Sequence, residues 1–286
     1  MKITLTVGIS NSGKTTWANN QSAVQVCRDD LRCMAEFTPS RDLNKYKFSK
    51  AKEKKITEMQ FTMATASIEA GIDVIVADTN LNEGTRNKWK QFAKEHNVDF
   101  EIKEFPCEPH VAKARNQKRD HSIPVSAIDR QYVAWRKYKG LPTYQPMYGK
   151  TRAVIFDVDG TLADMTGVRN PFDWHKVHLD KPRASVIELS RMYHKAGFKI
   201  LVLSGRDGSC RADTIDWLDE YNVPWEALYM REAGDSRPDA EIKEEIFWAK
   251  IEPNYSVSKA IDDRDQMVAR WRAMGLECWQ VQAGDF

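Results

Sequence analysis

The hydrophobic positions of this chain alternate between short β-branched runs and longer stretches of helical spacing, a pattern typical of parallel α/β sheets. In the first half, Ile3 to Val7 is predicted to form a strand, and Ser49 to Ala70 a helix whose apolar residues share one face. Gly71 stands where this helix is expected to end. The continuous apolar run Val74 to Ala77 suits a strand that is buried on both faces.

The same alternation resumes in the second half, after a stretch that has neither period. Between Tyr138 and Lys150, two prolines and two glycines interrupt the pattern, which indicates a linker. The length of 286 residues exceeds the roughly 100–200 residues of a usual single domain. We therefore predict two α/β domains at residues 1–140 and 152–286, with the linker at 141–151. Strands of the second domain are predicted at Ala153–Phe156, Ile200–Leu203, Ala227–Met230, Val257–Ile261 and Glu277–Val281.

The composition excludes a membrane-spanning protein and a disulfide-stabilised one. Hydrophobic residues make up 42% of the chain and charged residues 29%, as in soluble globular enzymes, and no apolar run approaches the roughly 20 residues that span a bilayer. The five cysteines are scattered and form no C-x-x-C pair, which argues against a disulfide framework or a zinc site. We expect a protein of the reducing cytoplasm.

Charge is divided unevenly between the two halves. Residues 1–150 hold 25 Lys and Arg against 17 Asp and Glu, whereas the remainder holds 18 against 24. A basic first half favours a polyanionic partner, and an acidic second half favours a site that gathers carboxylates around a metal. Charge scattered by chance over the surface explains the same numbers equally well.

A phosphate-binding motif follows the first predicted strand. Gly8 to Thr15 fits the pattern G-x-x-x-x-G-K-[ST], and it lies between a strand and a predicted helix. Its glycines let several backbone N–H groups turn toward a triphosphate, and Lys14 can reach the β- and γ-phosphates. The Thr15 hydroxyl can ligate Mg²⁺. The first half is therefore predicted to bind a nucleoside triphosphate.

Charged residues after the next predicted strand, Ala23 to Cys27, indicate where a phosphate acceptor binds. A carboxylate at this position, Asp29, faces the ligand crevice of an open α/β sheet and can take a proton from an acceptor hydroxyl. Arg32, three residues later, can bind a phosphate on the acceptor. An exposed aspartate that caps a helix explains Asp29 equally well.

Three further residues complete the predicted kinase site. Asp78 follows the strand Val74 to Ala77 in a position like that of a Walker B carboxylate, where it either supports magnesium or orients Arg32. Arg115 and Arg119 are four residues apart and are predicted to share one face of a helix at Val111 to Asp120. Two such arginines can close over a triphosphate, although a solvated basic face is the commoner meaning of the pair.

A second constellation begins after the strand Ala153 to Phe156. The sequence D-x-D-G-T at Asp157 to Thr161 presents two carboxylates on one side of a strand end, because side chains alternate with a period of two. Asp157 can attack phosphorus to form an aspartyl-phosphate, while Asp159 protonates the leaving oxygen and later activates water.

Three more segments occur in the order that this chemistry requires. Ser204, Gly205 and Arg206 follow the strand Ile200 to Leu203 and offer a hydroxyl and a cation to phosphoryl oxygens. Lys243, within a predicted helix at Glu241 to Ile251, can neutralise charge on nucleophile and phosphate. Asp262 and Asp263 end the strand Val257 to Ile261, where their oxygens can complete a Mg²⁺ site.

These segments resemble the four motifs of the haloacid-dehalogenase phosphatase superfamily. A P-loop kinase ahead of such a phosphatase resembles the bacteriophage polynucleotide kinase/3′-phosphatase family, which implies a P-loop NTPase-type parallel sheet followed by a haloacid-dehalogenase-like Rossmannoid sheet. The similarity extends over the whole chain, at Gly13–Trp17, Arg28–Asp30, Asp78–Asn82, Ala153–Leu162, Lys243–Trp248, Cys278–Val281 and Gly284–Phe286.

The resemblance implies a role for each matching residue. In the kinase half, Asp29 would be the general base for a 5′-hydroxyl, and Arg32 would bind the phosphate next to that terminal nucleoside. In the phosphatase half, Asp157 would be the nucleophile and Asp159 the acid and base. The residues expected at the ATP phosphates are Gly8, Gly13, Lys14, Thr15, Thr16, Arg115 and Arg119.

The remaining implied roles concern the phosphate and the metal of the phosphatase. Ser204, Gly205, Arg206 and Lys243 would hold the phosphate, with Arg169 and Asp239 as further site residues. Mg²⁺ would be held by Asp157, Asp159, Asp262 and Asp263, and in the kinase half by Thr15. The resemblance also implies a homotetramer, the assembly that the family forms. A nucleic-acid ligase would act downstream.

Two departures from the family pattern stand out. The interior of the phosphate loop is Ile9 to Ser12, where the family has a proline and an additional glycine, and Asn11 is a residue that tolerates left-handed backbone angles. Around Arg169 the spacing is shifted by one residue.

The sequence thus predicts an enzyme that heals nucleic-acid ends, phosphorylating 5′-hydroxyls of RNA or DNA with ATP and removing 3′-phosphates, with 2′,3′-cyclic phosphates as a further candidate. Two alternatives stay open: a small-metabolite kinase fused to a small-metabolite phosphatase, and a catalytically inert, nucleotide-dependent adaptor. Intact Asp29, Asp157 and Asp159 argue against the adaptor, which has no need of them.

Overall fold

Each half of the chain is built on its own parallel sheet, which confirms the predicted fold class. The computed structural model describes residues 1–35 and 46–284, and the chain divides into two units, Met1–Leu141 and Pro142–Phe286. The helices and strands of the first unit are β1 (Lys2–Val7), α1 (Lys14–Ala18), β2 (Val24–Val26), α2 (Arg28–Ala35), α3 (Lys50–Glu69), β3 (Val74–Val76), α4 (Glu83–Glu95), β4 (Asp99–Glu104), α5 (Pro109–Gln117) and α6 (Val125–Tyr138).

The first sheet has the strand order β2-β3-β1-β4, and all its neighbours are parallel. Apolar residues of β1 and β3 pack with Trp89 and Phe92 of α4 in one buried cluster. The Ser49 side chain caps α3 by accepting a hydrogen bond from the backbone N–H of Lys52. Because β1, β2 and β3 run in the same direction, the loops that follow them meet at one edge of the sheet.

The second unit repeats this architecture with more strands. Its five-stranded sheet has the order β11-β10-β5-β8-β9, with parallel neighbours throughout, and β6 and β7 pair as a small antiparallel ribbon. The elements are β5 (Thr151–Phe156), β6 (Ala163–Asp164), β7 (Lys181–Pro182), α7 (Ala184–Lys195), β8 (Lys199–Ser204), α8 (Arg211–Glu220), β9 (Trp225–Met230), α9 (Asp239–Ile246), β10 (Tyr255–Arg264), α10 (Asp265–Ala273) and β11 (Cys278–Gly284).

The side chains of β5 alternate between the two faces of this sheet, which places a core on each side. Ala153 and Ile155 belong to one buried cluster with residues of α9 and α10, whereas Val154 and Phe156 belong to another with residues of α7 and α8. A strand buried on both faces presents only its end to ligands. The loops after β5 and β8 and the end of β10 therefore form the accessible edge of the sheet.

Several element boundaries differ from those predicted. Helix α5 ends at Gln117 with Lys118 as its C-cap, so the prediction that Arg115 and Arg119 share a helix face was wrong. The predicted helix at 241–251 is instead α9 followed by a π-helical turn at Phe247–Ile251. Strand β10 continues through the paired aspartates, and its register with β11 shifts between Asp262 and Arg264.

The segment predicted as a linker contributes to the core of the second unit. Tyr144 is only 3% exposed, its hydroxyl donates to the carbonyl oxygen of Val257 at 3.0 Å, and it meets Phe247 edge-on. The prolines and glycines around it predicted irregular backbone, and they did not reveal that an aromatic anchor lies among them. Across the described ranges, no helix combines the length and apolar character that crossing a membrane requires.

Candidate active sites

The loop after β1 folds closely around the side chain of Lys14. Its ammonium donates to the carbonyl oxygens of Gly8 at 3.0 Å and Ile9 at 2.6 Å, and the residue is buried. Gly13 has a φ of 101°, a left-handed angle that glycine adopts without strain. A Cβ at Gly8 would lie 2.6 Å from the carbonyl oxygen of Phe105, so this position also requires glycine.

The electrostatic environment links this loop to the ends of β2 and β3. Burial lowers the pKa of Lys14 to about 8, and the negative charges of Asp78 and Asp29 oppose that shift. A bound triphosphate would add further negative charge and favour the ammonium form. Thr15 and Thr16 lie beside Lys14 in the first turn of α1.

Both arginines predicted at the triphosphate contact the phosphate loop. Arg115 Nη1 donates to the carbonyl oxygen of Asn11 at 3.1 Å, and Arg119 Nη1 donates to the Asn11 Oδ1 at 2.8 Å. Asn11 has a φ of 64°, so the asparagine takes the left-handed angle that glycine provides elsewhere. Although Arg119 lies beyond the helix, its guanidinium still reaches the loop.

Asp29 and Arg32 form one cluster at the start of α2. Arg32 Nη1 lies 2.7 Å from Asp29 Oδ1, and its other nitrogens contact the Glu53 carboxylate at 3.0 and 2.6 Å. Arg28 also contacts Glu53, at 2.6 Å. Burial opposes ionisation of Glu53, but hydrogen bonds from Arg32 and Arg28 lower its pKa to about 2. Glu53 therefore stays charged and orients Arg32.

Asp78 contacts the start of α2 and the middle of α3, while its predicted support of magnesium stays a prediction. Its Oδ1 accepts from the backbone N–H of Arg28 at 2.8 Å, and its Oδ2 accepts from Gln60 at 2.7 Å. Burial raises the pKa of this carboxyl, and the hydrogen bond from Arg28 partly compensates. Asp78 thus anchors the start of α2, while Glu53 orients Arg32.

In the second unit, three carboxylates surround one buried ammonium. Lys243 Nζ lies 2.8 Å from Asp157 Oδ1, 3.3 Å from Asp239 Oδ2 and 3.4 Å from Asp262 Oδ2. Burial acts to lower the pKa of Lys243, but the charges of Asp157, Asp239 and Asp262 raise it well above its usual value. Lys243 is consequently a permanent cation beside Asp157.

Asp159 is held by a separate group of charges. Its carboxylate receives hydrogen bonds from Arg206 and Arg169, each at 2.8 Å, and both arginines also contact the buried Asp180. Burial favours the neutral acid, but the charges of Arg206 and Arg169 hold the pKa of Asp159 below its usual value. The guanidinium of Arg206, which is predicted to bind the phosphate, contacts Asp159 and Asp180.

The residues at the end of β10 fit a divalent cation. Carboxylate oxygens of Asp157, Asp262 and Asp263 lie within 4.8 Å of one another, all buried. Among the described residues, Asp263 Oδ2 is buried without a hydrogen-bond partner. Burial and the charge of Asp262 raise the pKa of Asp263 to about 6. Three buried carboxylates, one of which has an oxygen without a hydrogen-bond partner, supply the hard oxygen ligands that Mg²⁺ binds.

Mg²⁺ is expected to raise the unfolding temperature of the wild-type protein in the absence of nucleotide, because it binds this cluster only when the chain is folded. At a hundredfold excess over Kd the stabilisation is about 2.7 kcal/mol, a shift of several degrees. Asp263→Asn should remove most of that shift. Thermal unfolding with and without MgCl₂ measures it, with Asp216→Asn, a substitution in α8, as the matched control. An undiminished shift in Asp263→Asn would place the ion elsewhere.

Ser204 and Gly205 end β8 beside these charges. Ser204 is buried, and its hydroxyl accepts from the backbone N–H of Arg206 at 3.2 Å. A Cβ at Gly205 would lie 2.0 Å from Asp239 Oδ1, so only glycine allows the two segments to approach. A cavity of about 190 Å³ opens here, and its lining residues are Asp157, Asp159, Met165, Pro171, Phe172, Trp174, Gly205, Arg231, Asp239, Lys243 and Arg264.

Each half of the chain matches a known domain family. Residues 151–286 match the family described as the polynucleotide kinase PNKP phosphatase domain, and residues 3–137 match the one described as an AAA domain. The chain is a P-loop kinase-type domain followed by a haloacid-dehalogenase-like phosphatase domain. The phosphate loop lies in the first of these domains and the Asp157 cluster in the second.

A viral protein and a solved chain of an RNA repair complex are similar to this chain. A "putative bifunctional polynucleotide kinase/RNA ligase" of Autographa californica nuclear polyhedrosis virus is 30% identical over 286 residues, a match that covers 94% of this chain and 41% of the relative. This chain therefore spans about two fifths of that relative's length. A solved chain from the Pnkp1/Rnl/Hen1 RNA repair complex is 29% identical with a TM-score of 0.49, covering 100% of this chain and 97% of that one.

Residues that reasoning from the sequence missed are mostly partners of the predicted ones. Glu53, in the first turns of α3, and Asp180, just before β7, orient Arg32 and Arg206 from segments distant in sequence. Arg231 donates to the carbonyl oxygen of Gly205 at 2.6 Å and lines the cavity. A motif search has no signal for such residues, because each is fixed by the packing of two elements.

Proposed function

We propose that this chain heals nucleic-acid ends. Its first domain transfers the γ-phosphate of ATP to a 5′-hydroxyl of RNA or DNA, and its second domain removes a 3′-phosphate through Asp157. The observation that carries the proposal is a pair of separate candidate sites. One is a phosphate loop whose Lys14 is influenced by the charges of Asp78 and Asp29, and the other is the Asp157–Lys243 pair in a cavity. The match of the second domain to a phosphatase family of polynucleotide kinases supports the choice of polymer over metabolite.

In the kinase reaction, the triphosphate is bound by Lys14, Arg115 and Arg119. Arg32 binds the phosphate next to the acceptor nucleoside. Asp29 accepts the proton of the 5′-hydroxyl as its oxygen attacks the γ-phosphorus and the bond to the β-phosphate oxygen breaks. The side chain of Asp29 is 52% exposed and contacts Arg32, so it remains accessible to an acceptor.

In the phosphatase reaction, Asp157 attacks phosphorus, and the bond to the 3′-oxygen breaks as Asp159 gives that oxygen a proton. Asp159 then takes a proton from water, which hydrolyses the aspartyl-phosphate and releases inorganic phosphate. The arginines keep Asp159 ionised in the free enzyme, and the negative charge of a bound phosphate raises its pKa toward the acid form. Mg²⁺ at Asp157, Asp262 and Asp263 would lower the pKa of the nucleophile, which burial raises.

Glu53→Gln is expected to lower the catalytic efficiency of the kinase reaction by about tenfold or more, because Arg32 loses the charge that orients it. The loss should appear with both ribo- and deoxyribo-acceptors and leave the phosphatase activity of the same preparation unchanged. Initial rates with an oligonucleotide that carries a 5′-hydroxyl measure it, with Glu58→Gln, five residues later in α3 and exposed, as the control. Equal rates in the two variants would show that Arg32 does not depend on Glu53.

The function itself is tested with one oligonucleotide that bears a 5′-hydroxyl and a 3′-phosphate, in RNA and DNA forms. Incubation with ATP and Mg²⁺ should convert it to a 5′-phosphate and 3′-hydroxyl, read by mass spectrometry. Sugars and small phosphate esters in parallel reactions test the metabolite alternative, which their preferential turnover would support. An unchanged oligonucleotide would refute the proposal.

We also propose a partner enzyme, an oligomeric state and a cellular compartment for this chain. A nucleic-acid ligase would act on the healed ends, and the relative named as a kinase/RNA ligase motivates this expectation. We also propose a homo-oligomer, a tetramer by family resemblance, to be measured by light scattering. The five cysteines are free thiols, which suits the reducing cytoplasm.

A further inference from the structure

An exposed aromatic ring lies at the phosphatase cavity. Phe172 is 80% exposed, although it lines the same cavity as Asp157 and Lys243. Its ring meets Trp174 edge-on, with centroids 6.0 Å apart and an interplanar angle of 89°. Met165, Pro171 and Trp174 line the cavity as well, so its lining combines apolar side chains with charged ones. The proposed phosphatase reaction uses only the charged side chains of this cavity.

The backbone beside Phe172 is tied to the acid–base carboxylate. Arg169 contacts Asp159 at 2.8 Å with one nitrogen and donates to the Pro171 carbonyl oxygen at 3.0 Å with another. The backbone N–H of Trp174 then donates to the carbonyl oxygen of Phe172 at 2.9 Å. One guanidinium therefore contacts both Asp159 and the backbone next to Phe172.

We propose that Phe172, supported by Trp174, stacks on the base of the nucleoside that carries the 3′-phosphate. This inference rests on the proposed 3′-phosphatase function and adds a subsite to it. A nucleobase presents a flat apolar face one sugar away from the phosphate, and the cavity offers apolar side chains for the base together with charged ones for the phosphate. A base of any kind stacks on an aromatic ring, so the subsite recognises a nucleoside without selecting its sequence.

The test compares two 3′-phosphorylated oligonucleotides of the same sequence, one ending in a normal nucleoside and the other in an abasic sugar. The wild-type chain should have a kcat/KM about tenfold higher for the nucleoside end, mainly through KM, since stacking of one base has that magnitude. In Phe172→Ala this ratio should fall to about one, and Phe172→Trp should retain it. Because both substrates are measured on one preparation, a misfolded fraction cancels from the ratio.

Leu179→Ala is the matched control, since Leu179 is 51% exposed in the adjoining 3₁₀ helix and is absent from the cavity lining. It should keep the wild-type ratio. A wild-type ratio of one, or a ratio that Phe172→Ala leaves unchanged, overturns the subsite while 3′-phosphatase activity still supports the proposed function. An unchanged ratio combined with a smaller mass in solution would instead assign Phe172 to self-association. Failure to hydrolyse either oligonucleotide would overturn both proposals.

Discussion

Asp157→Asn is expected to lower 3′-phosphatase activity by about 10⁴-fold or more, because the amide cannot form the covalent phosphoryl intermediate. The variant should still fold. Burial already disfavours the charge of Asp157, so removing it relieves a desolvation penalty, and Lys243 keeps Asp239 and Asp262 as partners. Release of phosphate from a 3′-phosphorylated oligonucleotide measures the loss.

The 5′-kinase activity of the same preparation serves as the internal reference for Asp157→Asn. It should remain at the wild-type value, because each site is built within its own domain. Asp216→Asn makes the same chemical change in α8, away from the cavity lining, and should affect neither reaction. Substantial residual phosphatase activity in Asp157→Asn would rule out a covalent role for this residue, and loss of both activities in a folded variant would rule out two separate sites.

The parts of the sites that the sequence located best lie at the ends of parallel strands. Asp157, Ser204 and the Asp262–Asp263 pair each follow or end an apolar run, and parallel strands bring such positions to one edge of a sheet. The structure does place Asp157, Asp262 and Asp263 together. Here a local pattern was sufficient because the sheet converts sequence order into spatial proximity.

What the sequence did not reveal depends on contacts between distant segments. Arg206 contacts both Asp159 and Asp180 because the segment before β7 packs beside it. Glu53 reaches Arg32 because α3 packs against α2. Arg119 lies outside its predicted helix but still contacts Asn11, because the chain turns after Gln117. Residue type and spacing carry no information about such pairings.

Buried charges are arranged differently in the two candidate sites. In the second domain, Lys243 contacts Asp157, whereas Arg206 and Arg169 contact Asp159. Burial raises the pKa of Asp157, and the two arginines lower that of Asp159. Two carboxyl groups with separated pKa values can act in different roles at one pH. In the first domain, Lys14 is the only lysine or arginine within the phosphate loop itself, residues 8–15, and it is buried.

Lys14→Ala is accordingly expected to lower 5′-kinase activity by about 10³-fold while 3′-phosphatase activity stays at the wild-type value. The triphosphate loses the cation that reaches its β- and γ-phosphates, and the loop retains its backbone N–H groups. Folding should survive, because burial lowers the pKa of Lys14 to about 8 and therefore already disfavours its charge in the free protein. Transfer of the γ-phosphate to a 5′-hydroxyl oligonucleotide measures the effect.

Two further variants separate charge from volume at this position. Lys14→Met keeps most of the side-chain volume and should be as inactive as Lys14→Ala, since the ammonium is what the phosphates need. Lys54→Ala removes a lysine of α3 whose side chain is 80% exposed and should leave the kinase unchanged. If Lys14→Met retained activity, the loop would work by shape alone. If Lys14→Ala also silenced the phosphatase in a folded chain, the two reactions would share a site, which the separate positions of Lys14 and Asp157 in different domains argue against.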